Sequence, residues 1–326
     1  MKMGTNIKPI SSLSLDMDNQ WAYMRSSKIP GWETYPSYLD IAVPRSLSLF
    51  DRLGLKITYF VIGRDASHHK NREALAAIPA AGHEVANHSF DHEPWLHLYT
   101  RDELIEEFER SEEAIEAATG VRTRGFRGPG FSLSPAVIEV LAERGYDYDA
   151  STFPTFIGPL ARAFYFFKSE EMTKEEREQR KKLFGKISDG FRPLKPYLIE
   201  TEVRRLVEVP VTTLPGLKTP IHVSYLMYLA SFSPSAARAY WRTALRMCRL
   251  AGVEPSILLH PLDFLGAEDV EELRFFPGMA LSWPEKNDLL QDIIERLSRS
   301  FSVVPMSEHA ENAKGRDLAI RAAADI

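Results

Sequence analysis

The sequence predicts an α/β protein built from βα units around a mainly parallel sheet, and three observations carry that prediction. Short apolar runs rich in β-branched and aromatic residues recur along the chain. Amphipathic helical stretches separate them, at roughly one strand and one helix per 30 to 40 residues. Cap signals mark the boundaries: Thr100 with Glu103 and Ser134 before Pro135 open helices, while Gly54, Gly82, Gly120, Gly145 and Gly252 stand where helices should close.

Taken in order, strands are expected at 12–16 (SLSLD), 55–63, 83–89, 124–128, 146–151, 205–212, 256–260 (SILLH) and 301–306. Helices are expected near 38–53, 70–81, 101–118, 135–144, 234–251, 285–299 and 307–323. No internal repeat is detectable. The rhythm breaks between 152 and 204, where an aromatic, Pro-interrupted stretch precedes a charged helical one that reads as a solvated face. The reading is one catalytic domain over 1–326, with an insertion at about 152–204 and a helical C-terminal tail at about 284–326.

With 40 Lys+Arg against 45 Asp+Glu the formal net charge is -5, so no basic field attracts a phosphate backbone, and nucleic acid is not an expected partner. The single cysteine, Cys248, allows no intrachain disulfide and is expected as a small buried side chain. The first residues lack the apolar run of a signal peptide, and 221–232 is too short to span a bilayer. A cytoplasmic location follows as an expectation.

Four places can carry chemistry. In LSLDMD, an apolar strand ends in Asp16 and Asp18, which share one face as i and i+2. Close carboxylates repel unless a cation, a proton or an arginine stands between them; a pair of solvated turn carboxylates is the plain alternative. In HEVANHSFDHEPW, His88 and His92 lie four residues apart at a strand end, and with Asp18 they compose a two-His, one-carboxylate set with positions left open. In GFRGPGFS, Arg127 can hold a carboxylate ionised, or serve as a structural ion-pair partner. In LLHPLDF, His260 ends an apolar strand and can donate a proton to a leaving group, or fill a core position. His68, His69, His83, His97, His222 and His309 lack such spacing and read as surface or core histidines.

The series D-x-D, H-S-x-x-H, R-x-P, a strand ending D-x-S, then L-H-P resembles the NodB-homology polysaccharide deacetylases, carbohydrate esterase family four, over about residues 11–265. The resemblance implies a distorted (β/α) barrel and a metal-dependent amide hydrolase acting on N-acylated amino sugars. It implies that Asp18, His88 and His92 bind the metal, that Asp16 is the general base held by Arg127, and that His260 is the general acid. Asp149 would orient His260, with Asp147 as its rival, and a backbone N–H near Phe131 would hold the oxyanion. Zinc is the default ion, and such ligands also accept cobalt, nickel, iron or manganese.

Two departures from the family pattern stand out. Met17 separates the aspartates, as in a divergent branch, and the aromatic residue usual after the R-x-P proline is displaced from Gly130 to Phe131, leaving acetyl and formyl both open as the acyl group. A cytoplasmic or lipid-linked glycan precursor is the expected substrate, met with at most peripheral membrane contact. Its wall is expected from 152–233, where the aromatic run at 163–167 and the apolar run at 222–232 flank the motif side. A hydrolase of small linear or cyclic amides and an inactive barrel acting as a binding protein remain the other readings.

Overall fold

A computed structural model describes residues 8–156 and 187–326. The first strand, β1 (Ile10–Asp16), alternates as its sequence demands: Leu13 and Leu15 pack with the helical layer, while Ser12, Ser14 and Asp16 take the opposite face. After it come α1 (Gln20–Ser26), α2 (Leu39–Arg52), β2 (Thr58–Val61), α3 (Gly63–Ser67), α4 (Arg72–Ala80) and β3 (Glu84–Asn87). Then follow α5 (Arg101–Thr119), β4 (Gly125–Phe126), α6 (Pro135–Glu143) and β5 (Tyr148–Asp149). Thr100 and Glu103 make the expected reciprocal cap on α5, and Gly120 closes it in the left-handed region.

Beyond the insertion lie β6 (Tyr197–Glu200), β7 (Arg205–Glu208), α7 (Val223–Phe232), α8 (Pro234–Ala251) and β8 (Ser256–Leu259). The C-terminal part holds α9 (Trp283–Ser300), β9 (Ser302–Val304), α10 (Met306–Lys314) and β10 (Ile320–Ala322). The hydrogen-bonded order is β10-β6-β7-β5-β4-β3-β2-β1-β8, with β9 also on β1, and every pairing is parallel except β6 with β7. No ladder joins the β7 side to β8. Instead Thr212 donates its N–H to Ser256 O at 2.9 Å, and Thr212 Oγ1 accepts from Ser256 N at 2.8 Å. The ring therefore closes irregularly, as the distorted barrel implied by the family resemblance does.

The main core lies between strands and helices. On α8, Ala237, Trp241, Ala244, Leu245 and Cys248 recur at helical spacing and are buried in it, so Cys248 is the core side chain expected. Each large apolar side chain so buried contributes about 1.5–3 kcal/mol. A smaller cluster on the other strand face joins Phe60, Ala86, Tyr148, Val207 and Met306.

Three expectations need correction. The tail is not wholly helical: α10 stops at Lys314, and β9 and β10 join the sheet. Part of 152–204 belongs to the sheet too, because β6 pairs antiparallel with β7. The apolar run at 222–232 is mostly α7, whose Val223, Leu226, Met227 and Ala230 are core, leaving Tyr228 and Phe232 outside. The aromatic run at 163–167 and the charged stretch after it lie outside the described residues. No described helix is long and apolar enough to cross a membrane.

Candidate active site

The site starts where β1 ends. Asn19 caps α1 by accepting from Gln20 N at 2.8 Å, and its Nδ2 donates to Asp65 Oδ1 at 2.7 Å, a carboxylate also bonded by Trp21 Nε1 at 2.8 Å. The Tyr38 hydroxyl donates to Asp18 O. These bonds fix the turn that carries Asp18.

Beyond β3 the backbone of H-S-F-D-H is forced into unusual shapes: Ser89 and His92 have φ of 62° and 53°. Neighbouring side chains hold it there. Asn87 Oδ1 accepts from Ser89 N at 2.8 Å, Ser89 Oγ from His92 N at 3.1 Å, and the buried Glu107 Oε1 from Phe90 N and Asp91 N at 2.9 and 2.8 Å. Arg25 donates to the carbonyls of Asp91 and His92.

The loop brings both imidazoles to Asp18. His88 Nε2 lies 3.2 Å and His92 Nε2 3.1 Å from Asp18 Oδ1, and one ligand atom of each of the three side chains falls within 4.8 Å of the others. His88 spends Nδ1 on the carbonyl of Arg127 at 2.6 Å; a carbonyl only accepts, so Nδ1 carries the proton and neutral His88 presents a lone pair from Nε2. A lone pair and a carboxylate oxygen facing each other at that distance need a cation or a proton between them. One oxygen and two imidazole nitrogens with room for further ligands fit a divalent metal ion. Burial alone would raise Asp18, but the two imidazoles outweigh it and hold the carboxyl well below the usual range.

Asp16 faces the same point, its Oδ2 4.0 Å from His88 Nε2. Its other oxygen accepts from Arg127 Nη1 at 2.6 Å. Arg127 is wholly buried; it also donates to Ser14 Oγ and Ala150 O and lies 4.3 Å over the Phe60 ring. The turn after it requires glycine, since a Cβ on Gly128 would stand 2.0 Å from Ser132 O. Within this turn Phe131 N donates to Gly128 O at 2.9 Å, so the N–H of Phe131 itself is already engaged and is not a free oxyanion donor. The Phe131 ring stacks on Phe153 at 4.7 Å, and a cavity of about 740 Å³ adjoins the pair, lined also by Pro94, Gly130, Ser151 and Arg192.

His260 follows β8. Its Nδ1 lies 3.0 Å from Ser224 Oγ, and Ser224 in turn donates to Asp263 Oδ2 at 3.2 Å. The hydroxyl has one proton and gives it to Asp263, so it accepts from His260 Nδ1–H. Asp263 also accepts from His260 N at 2.8 Å. Sequence reasoning missed both partners. Asp263 sat in the quoted LLHPLDF motif, whereas nothing local marks Ser224.

The orienting role expected of Asp149 is corrected by its contacts. Asp149 bonds Ser151 N and Oγ, and Ser151 Oγ accepts from Gly128 N, so this carboxylate braces the Arg127 turn; none of its hydrogen bonds reaches His260. Its register partner across β5 and β7 is Glu208, which burial and the Asp149 charge push well above the usual carboxylate range. The rival, Asp147, belongs to a surface group with Arg124 and Arg204. Among the remaining histidines, His83, His97 and His309 make ring hydrogen bonds away from the Asp18 cluster, whereas His222 lies 6.2 Å from the His260 ring.

Comparison with known proteins agrees with this geometry. Residues 34–148 match the family model described as polysaccharide deacetylase; that span holds His88, His92 and Arg127 but not Asp16, Asp18 or His260. The chain is 30% identical over 112 residues to a peptidoglycan deacetylase of Helicobacter pylori, covering 34% of this chain and 37% of that protein. It is 30% identical over 100 residues to the uncharacterized protein YlxY of Bacillus subtilis, covering 31% and 30%. The alignments thus span only about a third of these curated relatives. A crystal structure from Mycobacterium smegmatis named for the same family superposes with a TM-score of 0.66 at 21% identity, covering 98% of this chain and 95% of that one, a likeness of fold. Residues 34–148 are thus similar to the polysaccharide deacetylase family.

Proposed function

We propose that this protein is a metal-dependent hydrolase that removes an N-acyl group, acetyl foremost, from an amino sugar of a glycan. The observation that carries the reading is the convergence of Asp18, His88 and His92 on one point, with the Arg127-held Asp16 beside it. A divalent ion in that set, zinc by default with cobalt, nickel, iron or manganese as acceptable substitutes, supplies Lewis acidity toward the attacking water and the acyl carbonyl.

The chain's own residues do the rest. Asp16 takes the proton from the attacking water, held in place by its hydrogen bond from Arg127 Nη1. The water oxygen bonds to the acyl carbon, the C–N bond breaks, and His260 delivers a proton to the departing nitrogen, which leaves as a free amine. Ser224 and Asp263 turn His260 so that Nε2 is free for the transfer and offset the positive charge of its protonated ring.

The finer version is a lipid-linked precursor met at the cytoplasmic membrane face, for which the exposed Tyr228 and Phe232 on the helix of Ser224 are the supporting feature. The test measures bound metal in the purified protein and amine release from N-acetylglucosamine oligomers, free and polyprenyl-linked, before and after chelation. Metal-dependent amine release is expected; protein that binds metal yet releases no amine from any of them overturns the reading.

A further inference from the structure

Among the described residues, His222 makes no ring hydrogen bond. It is 7% exposed, its Nδ1 is sealed from solvent with no partner, and none of the hydrogen bonds among the described residues involves Nε2. That is unusual, because buried polar atoms are nearly always satisfied. His83 and His309, equally buried, each hold one: Ile57 N donates to His83 Nδ1 at 3.1 Å, and His309 Nδ1 lies 2.9 Å from Ser12 Oγ.

Its position is as distinctive as its lack of partners. His222 precedes α7, two residues from Ser224, and its ring stands 6.2 Å from that of His260. On the other sides are Phe153 at 5.7 Å, itself stacked on Phe131, and Tyr225, edge-on at 4.4 Å. A single polar edge in this aromatic surround lies next to the group that protonates the leaving nitrogen. Burial, with the charges of His260 and Arg127, holds its pKa well below the ordinary histidine value, so the ring is neutral and offers either a donor or an acceptor at Nε2.

We infer that His222 is a substrate-binding residue whose Nε2 meets a hydroxyl on the carbon next to the one carrying the acylamino group. This rests on the function proposed above. A hydroxyl both donates and accepts, so it satisfies whichever tautomer the ring adopts. With His260 reaching the leaving nitrogen and each hydrogen bond about 2.8 Å long, the neighbouring imidazole reaches the substituent one carbon away. An apolar pocket holding one unsatisfied polar atom rejects an analogue that cannot pair with it.

The test compares kcat/KM for amine release from an N-acetylglucosamine oligomer and from the same oligomer lacking the 3-hydroxyl groups, using metal-loaded wild type, His222→Phe and His222→Gln. Wild type should favour the hydroxylated substrate roughly tenfold or more. His222→Phe should bring the ratio close to one, and His222→Gln, which keeps a polar edge, should retain part of it. If His222→Phe does not fold, the His222→Gln ratio decides. Good turnover with no wild-type preference, or with the same preference in both variants, overturns the inference and leaves the deacetylase reading standing. No amine release from either substrate by metal-loaded wild type overturns both.

Discussion

His88 donates from Nδ1 to the backbone carbonyl of Arg127 at 2.6 Å, while the guanidinium of the same arginine holds Asp16 at 2.6 Å. One residue thus sets the tautomer of a proposed metal ligand with its backbone and anchors the proposed base with its side chain. The two roles are separable, because a side-chain substitution leaves the carbonyl in place.

Arg127→Met should therefore abolish turnover yet keep bound metal. It leaves Asp16 buried and unpaired, which should cost about 3–5 kcal/mol in denaturant unfolding. Loss of the metal in a folded Arg127→Met protein would contradict this division of labour.

The two aspartates should part company in the same way. Asp18→Asn and His88→Ala are expected to lose metal and activity together, whereas Asp16→Asn keeps most of the metal but loses turnover. Metal content and amine release, measured on one preparation, check it; a metal-free Asp16→Asn protein would make Asp16 a ligand.

Ser224 lies between His260 and Asp263, so Ser224→Ala should slow amide hydrolysis roughly tenfold to a hundredfold while sparing an activated ester, whose leaving group needs no proton. His260→Ala should show the same bias more strongly. Combining the two should add little to the His260→Ala loss, because the serine acts through the histidine. Equal losses on amide and ester would make the pair structural.

Lys286 gives a pH signature from outside the Asp18, His88 and His92 set. Its buried Nζ donates to Leu262 O and Leu265 O, tying down the turn after His260. Burial lowers its pKa to about 8 from 10.5, despite Asp263, Glu268 and Asp269. Below pH 8 both states carry the proton, and the cost of the buried charge is fully present. As pH rises from about 8 toward 10.5 the folded lysine releases its proton while the unfolded one keeps it, so stability should rise, by about 3 kcal/mol at most. Urea unfolding at pH 7 and pH 9.5 should show wild type gaining relative to Lys286→Met; a constant difference would rule the buried charge out.

What the sequence made legible follows the range of the interactions involved. Asp16, Asp18, His88 and His92 were readable because strand alternation and a short loop place them, and both are local. β10 was not, since a three-residue strand is fixed by a partner more than a hundred residues away in the chain, and β6, four residues long, lies between that partner and the adjoining β7. Asp149 was given the wrong partner because its role depends on Ser151 and on Glu208 across the sheet, and the D-x-S motif shows only the first. His222 and Ser224 looked ordinary for the same reason. Their significance lies in meeting His260, 38 and 36 residues further on, a fact of packing that no spacing encodes.

The two hydrogen bonds between Thr212 and Ser256 lie between the two chain regions that supply the proposed site. Asp16, Asp18, His88, His92 and Arg127 all ride on β1 to β4 or their ends, a stretch stitched by continuous ladders. His222 and Ser224 arrive from the other side of the clasp, on chain that leaves β7 beyond the last laddered residue. Unfastening that clasp would open the wall between β7 and β8, while the helix of Ser224 stays packed on β8 in the main core. The amides of Thr212 and Ser256 should then exchange with solvent through a smaller opening than those of β2 and β3. On warming, that wall should loosen before the strands that carry Asp16, Asp18, His88 and His92.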